Sequence, residues 1–463
     1  MSGELREIPP VDRLLQRYGA AYADTPRPLL RTALRELTDA LRLQWRATPP
    51  PAGAAKRHFE EGGFERDLAA RLAQLIEPRH AAVVNATGVL LHTGLGRAPL
   101  CDGAAAALAR IARYGLVEVD PDSGERGRRE LFVRDLLCEL TGAEEATVVN
   151  NNAAAVMLLL RGLAFGKAGI VSRGELVEIG GAFRVPEVMA QSGAAMVEVG
   201  TTNRTRAADY AAAVTPDTGL LLHVHTSNFR IVGFTEKPTF EELVAVGREK
   251  GVATAADLGS GLLRRFPQLP FHDEPVVEEA VAAGFDVVTF SGDKMLGGPQ
   301  CGLLVGRKEA ILKLRREPLF RALRPDKLTL AALEATLLEW RKVAPGELPT
   351  ALPFYAMMGA SLDALRARGH ALLASAGLSA PRAAVVDSRA QVGSGSVPGR
   401  EFDSVAVALA AAGGAADGLA RKLRIGSPRL FTRVSDGRVW IDLRTVFPSE
   451  DASVAAALRA ALA

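Results

Sequence analysis

Over residues 1–75 apolar side chains recur at three- and four-residue spacing. Val11-Asp-Arg-Leu-Leu-Gln-Arg-Tyr18 and residues 28–42 each carry an apolar stripe with arginines on the opposite face, which predicts amphipathic helices. Pro49-Pro50-Pro51-Ala52-Gly53 breaks that pattern and predicts a linker. From about residue 80 to 310 the period changes. Short apolar runs at 146–150, 220–225, 252–257, 285–290 and 302–305 alternate with helical stretches, and each ends in polar residues or glycine. Strands buried on both faces read this way, so the pattern predicts an α/β domain with a mostly parallel sheet covered by helices. Ligands of such sheets bind beyond the carboxyl ends of the strands. A long helix is expected from Leu328 to about Val343, stopped by Ala344-Pro345-Gly346. Strands at 383–387 and 438–443 then suggest a smaller α+β unit. The expected domains are therefore 1–75 (helical), 76–345 (large α/β) and 346–463 (small α+β).

Composition narrows the class. The chain has 463 residues, 48% of them hydrophobic and 24% charged, ample material for a large core. The net charge of +3 advertises no polyanion partner overall, so any nucleic-acid surface must be local. Arginines on the first helices read as a solvated face before they read as an RNA contact. Cys101, Cys138 and Cys301 form no CxxC pair or even-numbered framework, which suits a reducing cytoplasm and offers no structural zinc site. The first residues lack a signal-peptide pattern, and no apolar run reaches the roughly 18 residues of a membrane span.

The candidate chemistry lies at the strand ends. Ser291-Gly-Asp293-Lys294-Met-Leu-Gly-Gly-Pro-Gln-Cys-Gly302 follows an apolar strand and places one lysine between small residues. A pyridoxal-phosphate (PLP) enzyme needs such an amine to form an imine with the cofactor aldehyde, and the Ser291 hydroxyl could donate to the phosphate. The plain alternative is a surface lysine in a glycine-rich turn. Asn150-Asn151-Asn152-Ala153-Ala154 is a strand-to-helix turn whose amides and helix dipole suit a phosphate, and Asn151 equally suits a helix cap. Asp257 ends a neighbouring strand, where a carboxylate could keep the pyridine nitrogen protonated. His225 is the candidate for covering the ring, though a strand-end histidine is often structural. Arg321 and Arg324 are three apart in a turn bounded by prolines, on one expected helical face. Arg97 stands in a glycine-rich stretch, and these cations could hold an anionic co-substrate or serve as surface ion-pair partners. Gln391-Val-Gly-Ser-Gly-Ser-Val-Pro-Gly399 lacks phosphate-loop spacing and reads as a turn with some chance of substrate contact. No metal-ligand spacing or GxSxG elbow occurs.

Together these motifs resemble a known family. Asn85-Ala-Thr-Gly-Val-Leu-Leu-His-Thr-Gly-Leu-Gly-Arg97-Ala-Pro-Leu100, Val149-Asn-Asn-Asn-Ala-Ala-Ala-Val156, Ser172-Arg-Gly-Glu-Leu-Val-Glu-Ile-Gly-Gly181, His225-Thr-Ser-Asn228, the Ser291–Gly302 stretch and Arg321-Ala-Leu-Arg-Pro-Asp-Lys327 are similar to bacterial selenocysteine synthases, the L-seryl-tRNA(Sec) selenium transferases of PLP fold type I. The resemblance runs almost the full length. It implies that Lys294 holds PLP, then takes the α-proton of serine esterified to tRNA(Sec). Loss of the β-hydroxyl would give an aminoacrylate, to which selenophosphate adds selenium. It further implies Asp293 as a catalytic carboxylate, Asn151, Asn152, Ala153, His225, Asp257 and Ser291 around the cofactor, and Arg97, Arg321 and Arg324 on the selenium donor. The first helices would bind tRNA, and the assembly would be a ring of dimers, a decamer. Gly94 stands where a polar residue, often asparagine, is expected, which bears only on local loop contacts. Two other readings compete: a lyase of the same fold acting on a free small substrate, and a non-catalytic tRNA-binding protein. Residues 1–75 speak against the first, and an intact Asn151–Asp257–Asp293–Lys294 set against the second.

Overall fold

The computed structural model describes residues 3–76, 78, 80–180, 183–393, 395–410 and 415–462. The chain forms two compact units, Met1–Ala82 and Val83–Ala463. The first is helical, with main elements Val11–Tyr18, Arg27–Ala47, Ala54–Glu60 and Gly63–Ile76. Their apolar stripes meet in a core that includes Leu14, Leu30, Leu34, Phe64 and Leu68. The proline run at 49–51 is a corner within this unit, not a connection out of it. The Glu4 carboxylate accepts from the amides of Gly53 at 2.6 Å and Ala55 at 2.8 Å, fixing that corner. The boundary between units falls at Ala82/Val83 rather than at residue 75.

The second unit holds a seven-stranded sheet in the order Glu145–Val149, Gly302–Gly306, Val287–Ser291, Ala253–Gly259, Thr218–Val224, Ala168–Ser172, Ala195–Val199. Four neighbouring pairs are parallel, and Gly302–Gly306 runs antiparallel to both its neighbours. Alternate residues of one strand enter different cores. Leu221 and Val288 pack with Leu137, Leu333 and Trp340, whereas Leu220, Leu222 and Val287 pack with Leu158 and Leu159 of the helix Asn152–Ala164. Helices on both faces explain why the strands read as unbroken apolar runs.

A five-stranded sheet follows the order Val83–Ala86, Arg429–Ser435, Arg438–Asp442, Glu401–Ala410, Ala383–Gln391. Its first strand precedes the large sheet in sequence and pairs parallel with Arg429–Ser435, which the local pattern did not reveal. Helices Leu362–Ala376, Ala416–Ile425 and Asp451–Leu462 share its core. The long helix spans Lys327–Arg341, slightly shorter than expected. No helix among the described residues is long and apolar enough to cross a membrane.

Candidate active site

Lys294 lies just beyond the strand Val287–Ser291 and is 5% exposed, so it is no surface lysine. Its Nζ donates to the carbonyl of Gly395 at 2.9 Å. Burial pushes the amine below its ordinary value, and the Arg97 charge adds to that. Asp293, Asp257 and Glu274 pull it back up. Gly395 permits this approach, because a Cβ there would lie 2.7 Å from the lysine nitrogen. Ser291, also buried, closes the strand three residues earlier.

Asp257 is buried in the strand Ala253–Gly259, whose register slips between Asp257 and Gly259. Such an irregularity re-aims side chains at a sheet's rim. The carboxylate accepts from Asn152 Nδ2 at 2.8 Å and from Thr289 Oγ1 at 3.1 Å. Burial raises its proton affinity, opposed by those two hydrogen bonds and by the charges of Lys294 and His225. Asp257 and Lys294 thus act on each other's charge. Asn151 caps the helix Asn152–Ala164 by accepting from the Ala154 amide at 2.8 Å. Among the described residues no hydrogen bond engages the amides of Asn152 and Ala153, the open end of a thirteen-residue helix. Gly302 lets the lysine segment return against this turn, since a Cβ there would meet the Asn151 carbonyl at 2.2 Å.

His225 follows the strand Thr218–Val224, and its amide donates to the Asp257 carbonyl at 2.8 Å. Its Nε2 stands 3.1 Å from Glu274 Oε1, close enough for an ion pair but misaligned for a hydrogen bond. On the other side, Arg97 Nη1 donates to Asp293 Oδ2 at 2.8 Å. Arg97 has φ 62°, a left-handed conformation that costs a non-glycine residue about 1–3 kcal/mol and recurs at functional sites.

Among the described residues neither Arg321 nor Arg324 makes a hydrogen bond to Lys294 or an ion pair with Asp257 or Asp293, and the two do not share a helical face. The helix ends at Leu323, and Arg324 is extended with ψ 143°. Arg321 is exposed, while Arg324 lies 3.4 Å from Glu118, which also takes Arg129 at 2.8 Å. The Leu323 carbonyl nevertheless accepts from the Asn150 amide at 2.8 Å, so this turn leads directly to the helix N-terminus. Gly181 and Ser394, parts of two stretches singled out in the sequence, lie outside the described residues. Sequence reasoning missed Glu274 and Thr289, and read Gly395 only as part of a turn with some chance of substrate contact. Glu274 lies in an irregular loop with no spacing to mark it, and a backbone carbonyl leaves no signal at all.

The polar atoms near Lys294 bear on whether the site fits pyridoxal phosphate. Asn152 Oδ1, His225 Nε2, Ser227 Oγ, Ser260 Oγ, Glu274 Oε1 and Arg97 Nε are buried without a hydrogen-bond partner among the described residues. Buried polar atoms are rarely left so, and their gathering around one lysine marks a site built for a polar ligand. Gly259 keeps the space open, since a Cβ there would stand 3.7 Å from Ser227 Oγ and 4.0 Å from Lys294 Nζ. An amine for an aldehyde, a carboxylate for a ring nitrogen and a free helix terminus for a phosphate fit this cofactor.

The comparisons with known proteins agree with this geometry. The family profile described as L-seryl-tRNA selenium transferase matches residues 83–447, and one described as selenocysteine synthase N terminal matches residues 5–42. An L-seryl-tRNA(Sec) selenium transferase of Geobacter sulfurreducens is 45% identical over 460 residues, covering 98% of each chain. One of Moorella thermoacetica is 46% identical over 99% of this chain and 97% of its own. Among solved structures, D-glucosaminate-6-phosphate ammonia-lyase superposes with a TM-score of 0.57 at 20% identity, covering 84% of this chain and 97% of that one, a likeness of fold. With a matching profile over most of its length and relatives this similar from end to end, the chain belongs to the L-seryl-tRNA selenium transferase family.

Proposed function

We propose that this chain converts L-seryl-tRNA(Sec) to L-selenocysteinyl-tRNA(Sec), with selenophosphate as the selenium donor and pyridoxal phosphate as its cofactor. The observation that carries the reading is the link from Lys294 through the Asp257 charge to Asn152 at the helix terminus, in a chain aligned end to end with transferases of that name. Bound there, the cofactor supplies an electron-accepting ring that stabilises negative charge at the serine α-carbon. Lys294 would hold it through its amine, Asp257 would keep the ring nitrogen protonated, and the amides of Asn152 and Ala153 would take the phosphate.

The remaining work belongs to side chains of the protein. The lysine amine is shifted by burial toward its neutral form, which suits a base that takes the serine α-proton. The proton that Lys294 takes from the α-carbon can go to the departing β-hydroxyl, which leaves as water, while the Asp293 carboxylate, held by Arg97, stabilises the lysine ammonium in between. Arg97 keeps an exposed fraction of 29% and can meet the anionic donor while paired. Arg321 and Arg324 would join it only across an interface between copies of the chain, in keeping with an assembly built from dimers in the cytoplasm. The N-terminal unit supplies the tRNA contact through exposed arginines, among them Arg35 and Arg46. A lyase acting on a free small substrate would have no use for that unit. Incubating the protein with seryl-tRNA(Sec) and selenophosphate tests the proposal, and unchanged seryl-tRNA would count against it.

A further inference from the structure

His225 and Glu274 belong to two spaces at once. Beyond the lysine pocket they line a cavity of about 550 Å³, within the range of roughly 300–1,000 Å³ common to small-molecule sites. Val397 and Pro398 also line it, from the loop whose Gly395 carbonyl takes the lysine amine. The cavity is therefore the neighbouring room of the site, not a separate one.

Its rim is unusual. Phe229 lines it and is 37% exposed, and further along the same loop, outside the lining, Val232 and Phe234 are 84% and 85% exposed. Arg204 and Lys237 line the same cavity, and among the described residues neither has a carboxylate within 4.0 Å; of the carboxylates that also line it, Glu236, Asp273 and Glu279 pair with Arg206, Arg230 and Arg265, whereas Glu241 has no such partner. The Arg204 guanidinium reaches only the Phe234 carbonyl, at 3.4 Å. An exposed aromatic ring beside cations without a carboxylate partner suits a single-stranded nucleic acid, whose base stacks on the ring while the cations follow its phosphates.

The chemistry of the substrate asks for such a room. The reading above puts serine, as an ester on the last ribose of a tRNA, against Lys294. Serine is only three carbons long, so the terminal nucleotide must lie against the wall of the lysine pocket. We infer that the cavity beside His225 receives the unpaired 3′ end of the aminoacyl-tRNA, with Phe229 as a stacking surface for a base and Arg204 and Lys237 as contacts for its phosphates. The inference rests on the seryl-tRNA reading and adds the place where that substrate's end is held.

The test uses the full chain loaded with its cofactor and two variants, Phe229→Ala and the double change Arg204→Ser with Lys237→Ser. KM and kcat are measured with seryl-tRNA(Sec). Equilibrium affinity is measured for tRNA(Sec) with and without its unpaired 3′ nucleotides. Phe229→Ala is expected to raise KM about tenfold, the equivalent of one lost base-stacking contact, and the double variant to raise KM through lost phosphate contacts, both with kcat unchanged at saturation. Each should bind trimmed tRNA as the unaltered chain does, and the advantage of intact over trimmed tRNA should shrink. If that advantage survives in both variants, the inference is overturned. An equal loss of affinity for trimmed tRNA, or a change of oligomeric state, overturns it too, because the rim would then hold the tRNA body or a second copy of the chain. An unaltered chain that binds tRNA(Sec) but yields no product sinks the functional reading instead.

Discussion

Asn152 Nδ2 donates to Asp257 Oδ1 at 2.8 Å, across 105 residues of sequence. One amide thus ties the helix terminus suited to a phosphate to the carboxylate suited to a ring nitrogen, fixing the two ends of a ligand relative to each other. Asp257→Asn removes the charge and sets two amides facing one another. Cofactor should still bind through Lys294, while turnover falls about 10²–10³-fold, the usual cost of removing one preorganised electrostatic contact. Visible absorbance of the purified variant and single-turnover product formation check the two halves separately.

Lys294 ties stability to pH in a definite direction. Burial lowers its proton affinity in the folded chain, whereas the unfolded chain keeps the ordinary value. Between those two values the unfolded state binds more protons, so stability rises with pH through that window, and the penalty is fully present below it. Cofactor-free protein should therefore gain stability as pH climbs toward the ordinary lysine value, and Lys294→Met should lose that dependence while being more stable at neutral pH. Thermal melts at several pH values check this. The variant should also hold no cofactor that borohydride can fix to the chain.

Arg97 combines an ion pair with a left-handed backbone, and two substitutions separate them. Arg97→Ala leaves Asp293, with a side chain 8% exposed, without its counter-ion. The expected cost is about 1–3 kcal/mol, less than the roughly 3–5 of a fully buried pair because Arg97 is partly exposed. Arg97→Gly loses the same ion pair but accepts φ 62° freely, so it should be less destabilised than the alanine variant by about 1 kcal/mol. Denaturant melts of the two variants give the comparison.

The N-terminal unit is compact in its own right, which makes its role separable. Removing residues 1–82 should leave the cofactor's visible band intact and abolish tRNA(Sec) binding in a gel-shift assay. In the full chain, Arg35→Ser with Arg46→Ser should weaken binding and flatten its salt dependence by about one ion per lost phosphate contact. Unchanged affinity in the shortened chain would move the tRNA contact elsewhere.

What could be read from the sequence was what local pattern controls. Helical periodicity gave the first unit, and apolar runs ending in Asn150, His225, Asp257 and Ser291 placed those residues at strand ends, where the sheet collects them. Partnerships over long separations were not legible. The strand Val83–Ala86 joins a sheet whose other strands lie some three hundred or more residues later, and its short apolar run carries no sign of that. Arg324 was expected on a helical face with Arg321, but the chain turns extended there, before Asp326 caps the next helix by accepting from the amides of Leu328 and Thr329. Gly395 entered as part of a glycine-rich turn, and only the folded chain sets its carbonyl on the lysine.

The most direct measurement is product analysis of the purified, cofactor-loaded chain supplied with seryl-tRNA(Sec) and selenophosphate. The account predicts selenocysteinyl-tRNA(Sec) from the unaltered chain and none from Lys294→Ala under the same conditions. Recovery of only seryl-tRNA(Sec) from a chain that binds both cofactor and tRNA, or equal product from the Lys294→Ala variant, would contradict it.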